Sequence, residues 1–523
     1  MAEATWNFSV DLNGAGDFSD TGEDISAYII SADWQIGFAK AFDTISRDNT
    51  MTLVLKNSDN RFSPEHASAL AGFTRGRVIR VQMTYAATTK TLFIGWIGEI
   101  SPAAGTKGRR TTTVIVEGYW ARAQKAEAFV PLQESKTADQ VIEAILANTY
   151  IYPPGFTGRW LLGIAGFSEL GVNTILGATS DYLSAKVGKT TFAYIADKWG
   201  DGVSVYGALA DTVGREYGRL FLDRSGVIVF WNRHHLILAT TVAATFSNFM
   251  MGLDYKYGSN IVNVATVQAN PRKVSISPET LGTIDGSTKI EPSSIKTVTF
   301  RYASQTAGEK IAGRNAIAPV QTTDFAANSA SDGSGTDYTS SVTAAITTET
   351  ATQCIVTFTN TATVAVYVQS GAKIRGTKIT DYGMVAQTYS DNTSISSYGR
   401  QAFTYPSTMD NTDDAQGVAE YIVGSRKDAR GDIAAVSLLP RANVTLMAQT
   451  RDRTIGDRIT LTETQTGTVS KDYFIIGEHH TLGNAGKDYS LTWLVEPAAG
   501  QQYWILGVVG YSELGVTTYA GPL

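Results

Sequence analysis

Cysteine is almost missing: Cys354 is the one cysteine in 523 residues, so no disulfide can form within the chain. The segment Gln353-Cys-Ile-Val-Thr-Phe358 around it alternates like a strand, which reads as a buried, inert thiol. Charge is also sparse, at 18% of residues, where about 25% is usual. The net charge of −6 leaves no basic footprint for gripping nucleic acid. No run approaches the roughly 20 apolar residues of a membrane span. The opening Met1-Ala-Glu-Ala-Thr-Trp6 lacks the basic and apolar regions of a signal peptide. These absences exclude a disulfide scaffold and a helical membrane protein, and they point to folding in a reducing cytosol.

What is present is core-forming material. Hydrophobic residues make up 43% and aromatics 10%, in a chain long enough for several domains. One peptide occurs twice. Trp160-Leu-Leu-Gly-Ile-Ala-Gly-Phe-Ser-Glu-Leu-Gly-Val-Asn-Thr174 returns as Trp504-Ile-Leu-Gly-Val-Val-Gly-Tyr-Ser-Glu-Leu-Gly-Val-Thr-Thr518, with ten of fifteen positions identical. Two copies are too few for a solenoid. So apolar a peptide, used twice, reads as a docking element whose anchors are Trp160, Leu162, Phe167, Leu170, Trp504, Leu506, Tyr511 and Leu514. Each copy docks either on a ring-forming neighbour or on an apolar patch of its own assembly. Either way, assembly is indicated before catalysis.

Periodicity divides the rest. Short alternating runs at Ile25–Ile30, Met51–Leu55, Val78–Met83, Leu92–Ile97 and Thr113–Glu117 predict a small barrel or sandwich over 1–122. Residues 123–240 change to an α+β pattern that carries the first docking repeat (158–177) as an inserted loop. There Thr137-Ala-Asp-Gln140 is a capping box, a second helix runs from Val205 to Glu216 behind Ser204, and Arg219–Asp223 and Val227–Trp231 form a hairpin. A second β domain is expected over 241–289 plus 396–498, with a helix near Asp414–Val423 and strands at Ala434–Leu438, Asp457–Leu461, Tyr473–Gly477 and Tyr489–Leu494. The Thr/Ser/Ala-rich stretch 290–395 reads as an inserted β-sandwich, and 499–523 as a docking peptide. The expected fold is therefore mainly β with a smaller α+β domain.

Candidate chemistry is thin. Adjacent histidines on a strand point to opposite faces, so neither His234-His235 nor His479-His480 chelates from one side. Asp332-Gly-Ser-Gly-Thr-Asp337 lacks the spacing and closing glutamate of a calcium loop and reads as a turn. Lys107-Gly-Arg-Arg110 reads as a solvated turn. No Gly-x-Ser-x-Gly elbow occurs, and no catalytic, metal or cofactor residues stand out. The chain is not expected to be an enzyme. A glycan-cleaving carboxylate pair and a carbohydrate-binding fibre or adhesin are the competing classes.

Taken in order, Asp24–Ile29, Thr52-Leu-Val-Leu-Lys-Asn-Ser-Asp-Asn-Arg-Phe-Ser-Pro64, Leu92-Phe-Ile-Gly-Trp-Ile-Gly-Glu99, Leu220–Arg233, Asn260-Ile-Val-Asn-Val264, Ile374-Arg-Gly376, Ser394–Arg400 and Tyr473–Gly477 resemble segments of the tail-hub (baseplate-hub, minor tail) proteins of tailed bacteriophages. The resemblance spans most of 20–498, and the order of the segments carries it. It implies two barrel-like, tail-tube-type domains per chain and a homotrimer, hence a ring of six modules at the tail tip. Implied partners are a six-fold distal tail or tube protein, a tape-measure protein, and fibre or spike proteins. DNA would pass through the lumen without specific binding. The chain would be assembled in the host bacterial cytoplasm and reside in the virion.

Overall fold

The computed structural model describes residues 3–105, 109–128, 130, 132–147, 183–196, 199, 202–247 and 251–498. The chain is mainly β. Its first six strands are β1 (Thr5–Val10), β2 (Ile29–Gly37), β3 (Thr50–Lys56), β4 (Val78–Tyr85), β5 (Thr88–Pro102) and β6 (Thr111–Glu117). Four, β2, β3, β4 and β6, have the alternation expected of half-buried strands: in β6, for example, Thr112, Val114 and Val116 are buried and their neighbours are not. They pair in the order β1-β4-β5-β6-β3-β2, all antiparallel. The sheet curls until its terminal strands meet, Trp6 of β1 standing edge-to-face on Trp34 of β2 at 5.9 Å.

Six later strands are β7 (Val242–Ser247), β8 (Gly252–Tyr257), β9 (Gly431–Leu438), β10 (Arg458–Glu463), β11 (Thr468–Gly483) and β12 (Asp488–Pro497). They pair in the order β7-β10-β11-β12-β9-β8. This is the first module's order, strand for strand. The one difference in direction is that β7 runs parallel to β10, whereas β1 is antiparallel to β4. The two modules join through β2 and β11 into one twelve-stranded sheet over one hydrophobic core that runs from Phe8 to Ala498.

The α+β unit lies between the modules in sequence. Its helix α1 (Ala138–Ala147) opens at the expected box, where Thr137 N donates to Gln140 Oε1 at 3.2 Å. Helix α2 (Val205–Glu216) is capped by Ser204, whose Oγ accepts from Gly207 N, and it ends on Tyr217 in the left-handed region. The hairpin Arg219–Leu222/Ile228–Trp231 follows, also as expected. These elements share a second core with Trp96, Tyr119 and Trp120.

The insertion differs in extent from the sequence reading. Val264–Ala269 does not join the second module. It pairs with Val385–Ser390 and Ala402–Met409 in a small sheet under helix α3 (Thr412–Arg426), with its own core of Val267, Met409, Val418 and Ile422. The β insert proper occupies 272–381 as three small sheets around Phe300, Phe325 and Phe358, rather than 290–395. The second module's strands accordingly fall within 242–257 and 431–497, narrower limits than 241–289 plus 396–498. Strand periodicity locates strands but not which sheet takes them. No helix among the described residues is long and apolar enough to cross a membrane.

Candidate assembly interface

The seam between the modules is an antiparallel ladder running from Ala32 opposite Leu482 to Gly37 opposite Gly477. Alternation on each strand gives it two faces. Ala32, Trp34 and Ile36 point inward with Glu478, His480 and Leu482, while Asp33 faces solvent with His479 and Thr481.

The solvent face is a ladder of small polar groups. Thr481 Oγ1 donates to Asp33 Oδ2 at 2.9 Å, and His479 Nε2 lies 2.9 Å from the same oxygen. Gln35 donates to Thr50 Oγ1 at 3.2 Å, and the Ser437 and Thr492 hydroxyls are 3.1 Å apart. Cross-strand pairs of this kind join the ladder across strands from both modules.

The inner face holds a buried charged chain. Glu478 and His480 are fully buried. Arg224, from the turn of the α+β hairpin, reaches Glu478 with Nε and Nη2, each at 2.9 Å. Its remaining N–H groups donate to the carbonyls of Arg451 at 2.8 Å and Arg453 at 2.6 Å. Glu478 Oε2 lies 2.9 Å from His480 Nε2, and His480 Nδ1 lies 3.0 Å from Tyr489 Oη. The imidazole is stacked against Trp34 at 4.7 Å, and the Tyr489 ring, nearly parallel to it, lies 6.1 Å away. Burial would raise the Glu478 carboxyl, but the Arg224 charge and the His480 hydrogen bond outweigh it and hold the group below its ordinary range. Burial keeps His480 below its ordinary value against the pull of Glu478. One cation and one anion therefore balance beside a neutral ring, and a single side chain ties the α+β unit to β11, the second module's strand of the seam. In the sequence Arg224 stands in the turn of the hairpin between Asp223 and Val227, where no local signal marks it for burial.

The duplication extends to single residues. Before β4, Thr74-Arg-Gly76-Arg-Val-Ile79 turns so that Gly76 N donates to Ile97 O at 2.7 Å and Arg77 O accepts from Ile97 N at 2.8 Å. Before β10, Thr454-Ile-Gly456-Asp-Arg-Ile459 repeats this on Ile475, with Gly456 N to Ile475 O at 2.7 Å and Ile475 N to Asp457 O at 3.0 Å. Both glycines have positive φ, 85° and 93°. A bulge follows at the same place in each long strand, between Ile97 and Glu99 and between Ile475 and Gly477.

Several edges of the twelve-stranded sheet remain open among the described strands, including that of β7, which pairs only with β10. β8 pairs only with β9, and the end of β5 beyond Ile97 pairs only with β6. β8 ends on Tyr257, 71% exposed. Pro102 closes β5; because Ala103 N turns to Thr111 O, the Pro102 nitrogen faces outward, where it offers no donor.

Other candidates are absorbed by local structure. Asp17, Asp20 and Glu23 lie close together, but the Glu23 oxygens accept from Leu12 N and Asp20 N, each at 3.0 Å. Burial raises Asp48 to about 6, although it accepts from Gly118 N and Trp120 N. His235 stacks on Trp231 at 4.5 Å, and burial lowers it to about 4. Asp332 and Asp337 accept from Ser334 N and Thr339 N within their own turns. Cys354 is buried, which pushes its thiol up to about 11. The docking anchors Trp160, Leu162, Phe167, Leu170, Trp504, Leu506, Tyr511 and Leu514 lie outside the described residues.

No protein-family model and no curated protein matches the chain. Among solved structures it is similar to the tail protein from Neisseria meningitidis MC58, with 10% identity, TM-score 0.48, and 95% of this chain and 96% of that one covered. It is similar to the 43 kDa tail protein of prophage MuSo2 from Shewanella oneidensis, with 9% identity, TM-score 0.46, and 95% and 100% covered. A third is the E. coli c3393 protein, a component of the type VI secretion system described as structurally similar to T4 bacteriophage tail proteins gp27 and gp5; identity is 9%, TM-score 0.33, and coverage 90% and 73%.

Proposed function

We propose that this chain is the structural hub of a bacteriophage tail tip, working as a homotrimeric ring. The observation that carries the reading is the duplicated module: two six-stranded units with one strand order, fused side by side in one sheet. Three such chains present six similar modules, so a three-fold assembly can seat on a six-fold tube and hold three-fold fibres or spikes on its other side. The order of hub-like segments along the sequence supports the same reading.

In this reading the solvent face of the sheet is the wall of the passage. Its exposed and half-exposed polar groups near the seam include Asp33, Gln35, Thr52, Thr113, Ser437, His479, Thr481, Ser490 and Thr492. Hydroxyls, an amide, an imidazole and a carboxylate, with Lys56 and Lys256 further out on the same face, release few counterions to DNA, so a polyanion slides past with little sticking. The chemistry is mechanical: the ring positions tube, tape-measure and fibre proteins, closes the tube, and opens when DNA leaves. Averaged electron images of the purified full chain test this. Three-fold rings with six lobes around a channel are expected, and single two-lobed particles at every concentration would refute it.

A further inference from the structure

The seam inside the chain uses one edge of each kind, β2 from the first module and the end of β11 from the second. The duplication gives each a counterpart. β2 corresponds to β8, since Asp33 pairs with Thr52 as Asp254 pairs with Ala435. The end of β11 corresponds to the end of β5, since Gly477 opposite Leu494 matches Glu99 opposite Ile115. Both counterparts are open edges of the sheet, as β7 is too.

We infer that β8 of one copy adds to the end of β5 of the next copy as an antiparallel strand, in the register of the internal seam. This rests on the hub reading and deepens it by naming the contact. Transferring the ladder sets Asp254 opposite Ala103, Lys256 opposite Ser101 and Gly258 opposite Glu99, all on the solvent-facing side. Three observations fit this one occupant. Asp254, Lys256, Ser101 and Ala103 are exposed, as Asp33, His479 and Thr481 are at the internal seam. The inward positions become Tyr255 opposite Pro102 and Tyr257 opposite Ile100, so the exposed Tyr257 ring gains an apolar partner across the seam. The sequence Leu253-Asp-Tyr255 repeats the Ala32-Asp-Trp34 pattern of the strand already used this way. The outward Pro102 nitrogen forgoes one ladder hydrogen bond and keeps the edge from accepting arbitrary strands.

The test is a pair of cysteines in the full chain, Lys256→Cys with Ser101→Cys, oxidised mildly and run without reductant. Both side chains are exposed in the single chain, so folding should be unaffected. The expected result is a disulfide-linked ladder ending at three chains, with little from the control Lys256→Cys with Thr89→Cys. Tyr257→Asp should convert trimers to folded monomers. A trimer by mass that fails to crosslink at 256/101, or ignores Tyr257→Asp, overturns this register and leaves the hub reading standing. A wild-type chain that is monomeric throughout overturns both.

Discussion

In the first module the connection from β2 to β3 takes residues 38–49; in the second, the equivalent connection from β8 to β9 takes residues 258–430. That one loop carries the small sheet with helix α3 and the whole 272–381 insert, yet the strand order on either side is unchanged. Closing a long loop costs little more than closing a short one, because the entropic cost grows only with the logarithm of length. The insert also has its own core, so it folds without borrowing from the sheet. The plan of the module is therefore set by its six strands, and its loops are free to acquire new parts. The modules differ as well in what secures their edges. The first module's β2 is covered by β11, while the second module's β8 is open.

The strongest way to break this comparison is at the buried lock. Arg224→Ala leaves Glu478 charged, buried and without its cation, and should cost about 3–5 kcal/mol. Chemical denaturation should show the loss, and a change under about 1 kcal/mol would mean that the seam does not depend on the α+β unit.

The matched glycines sharpen the comparison at smaller scale. Gly76→Ala meets open space, so only the positive φ resists it, at about 1 kcal/mol. At Gly456 a Cβ would also stand 2.5 Å from the Trp231 ring of the α+β hairpin. Gly456→Ala should therefore cost about 1–3 kcal/mol more than its twin. Equal losses in parallel melts would show that the hairpin does not press on the second module.

Acid should act on the lock with a definite sign. His480 is held below its ordinary 6.5, so as pH falls through that value the unfolded chain gains a proton that the folded chain refuses. Glu478, held below its ordinary 4.5, acts the same way further down. Both contributions are present at neutral pH and are lost on acidification. Asp48, raised to about 6, acts oppositely and favours the fold as pH drops below that value. Between pH 7 and 5, His480→Gln should therefore lose stability less steeply than wild type; equal slopes would place the titration elsewhere.

Much of the strand content was legible in the sequence, because half-buried strands announce themselves by alternation. Met51–Leu55, Val78–Met83 and Thr113–Glu117 all fall within observed strands, as do the later runs at Ala434, Tyr473 and Tyr489, while the run from Asp457 starts one residue before its strand. Caps were legible for the same local reason: Ser204 sits where its side chain accepts one of the first free amides, and Gln140 accepts from Thr137 N. β1 and most of β2 went unread. Ser31-Ala-Asp-Trp-Gln35 has few β-branched residues, and its partner β11 lies more than 440 positions away. The small sheet around Val264–Ala269 was assigned to the wrong neighbour because pairing is a tertiary choice. The lock was invisible, since Arg224 in a hairpin turn and Glu478 on a strand look solvated until distant segments bury them. The repeated Thr-x-Gly-x-x-Ile turn is too short to be noticed without the paired strands that give it meaning.

The central claim is that the duplicated module exists to let three chains close a ring of six. The mass of the purified full chain in solution, by sedimentation or native mass spectrometry across a concentration series, tests it most directly. The account predicts three chain masses. A chain that stays at one mass, or that forms a dimer or tetramer, contradicts it.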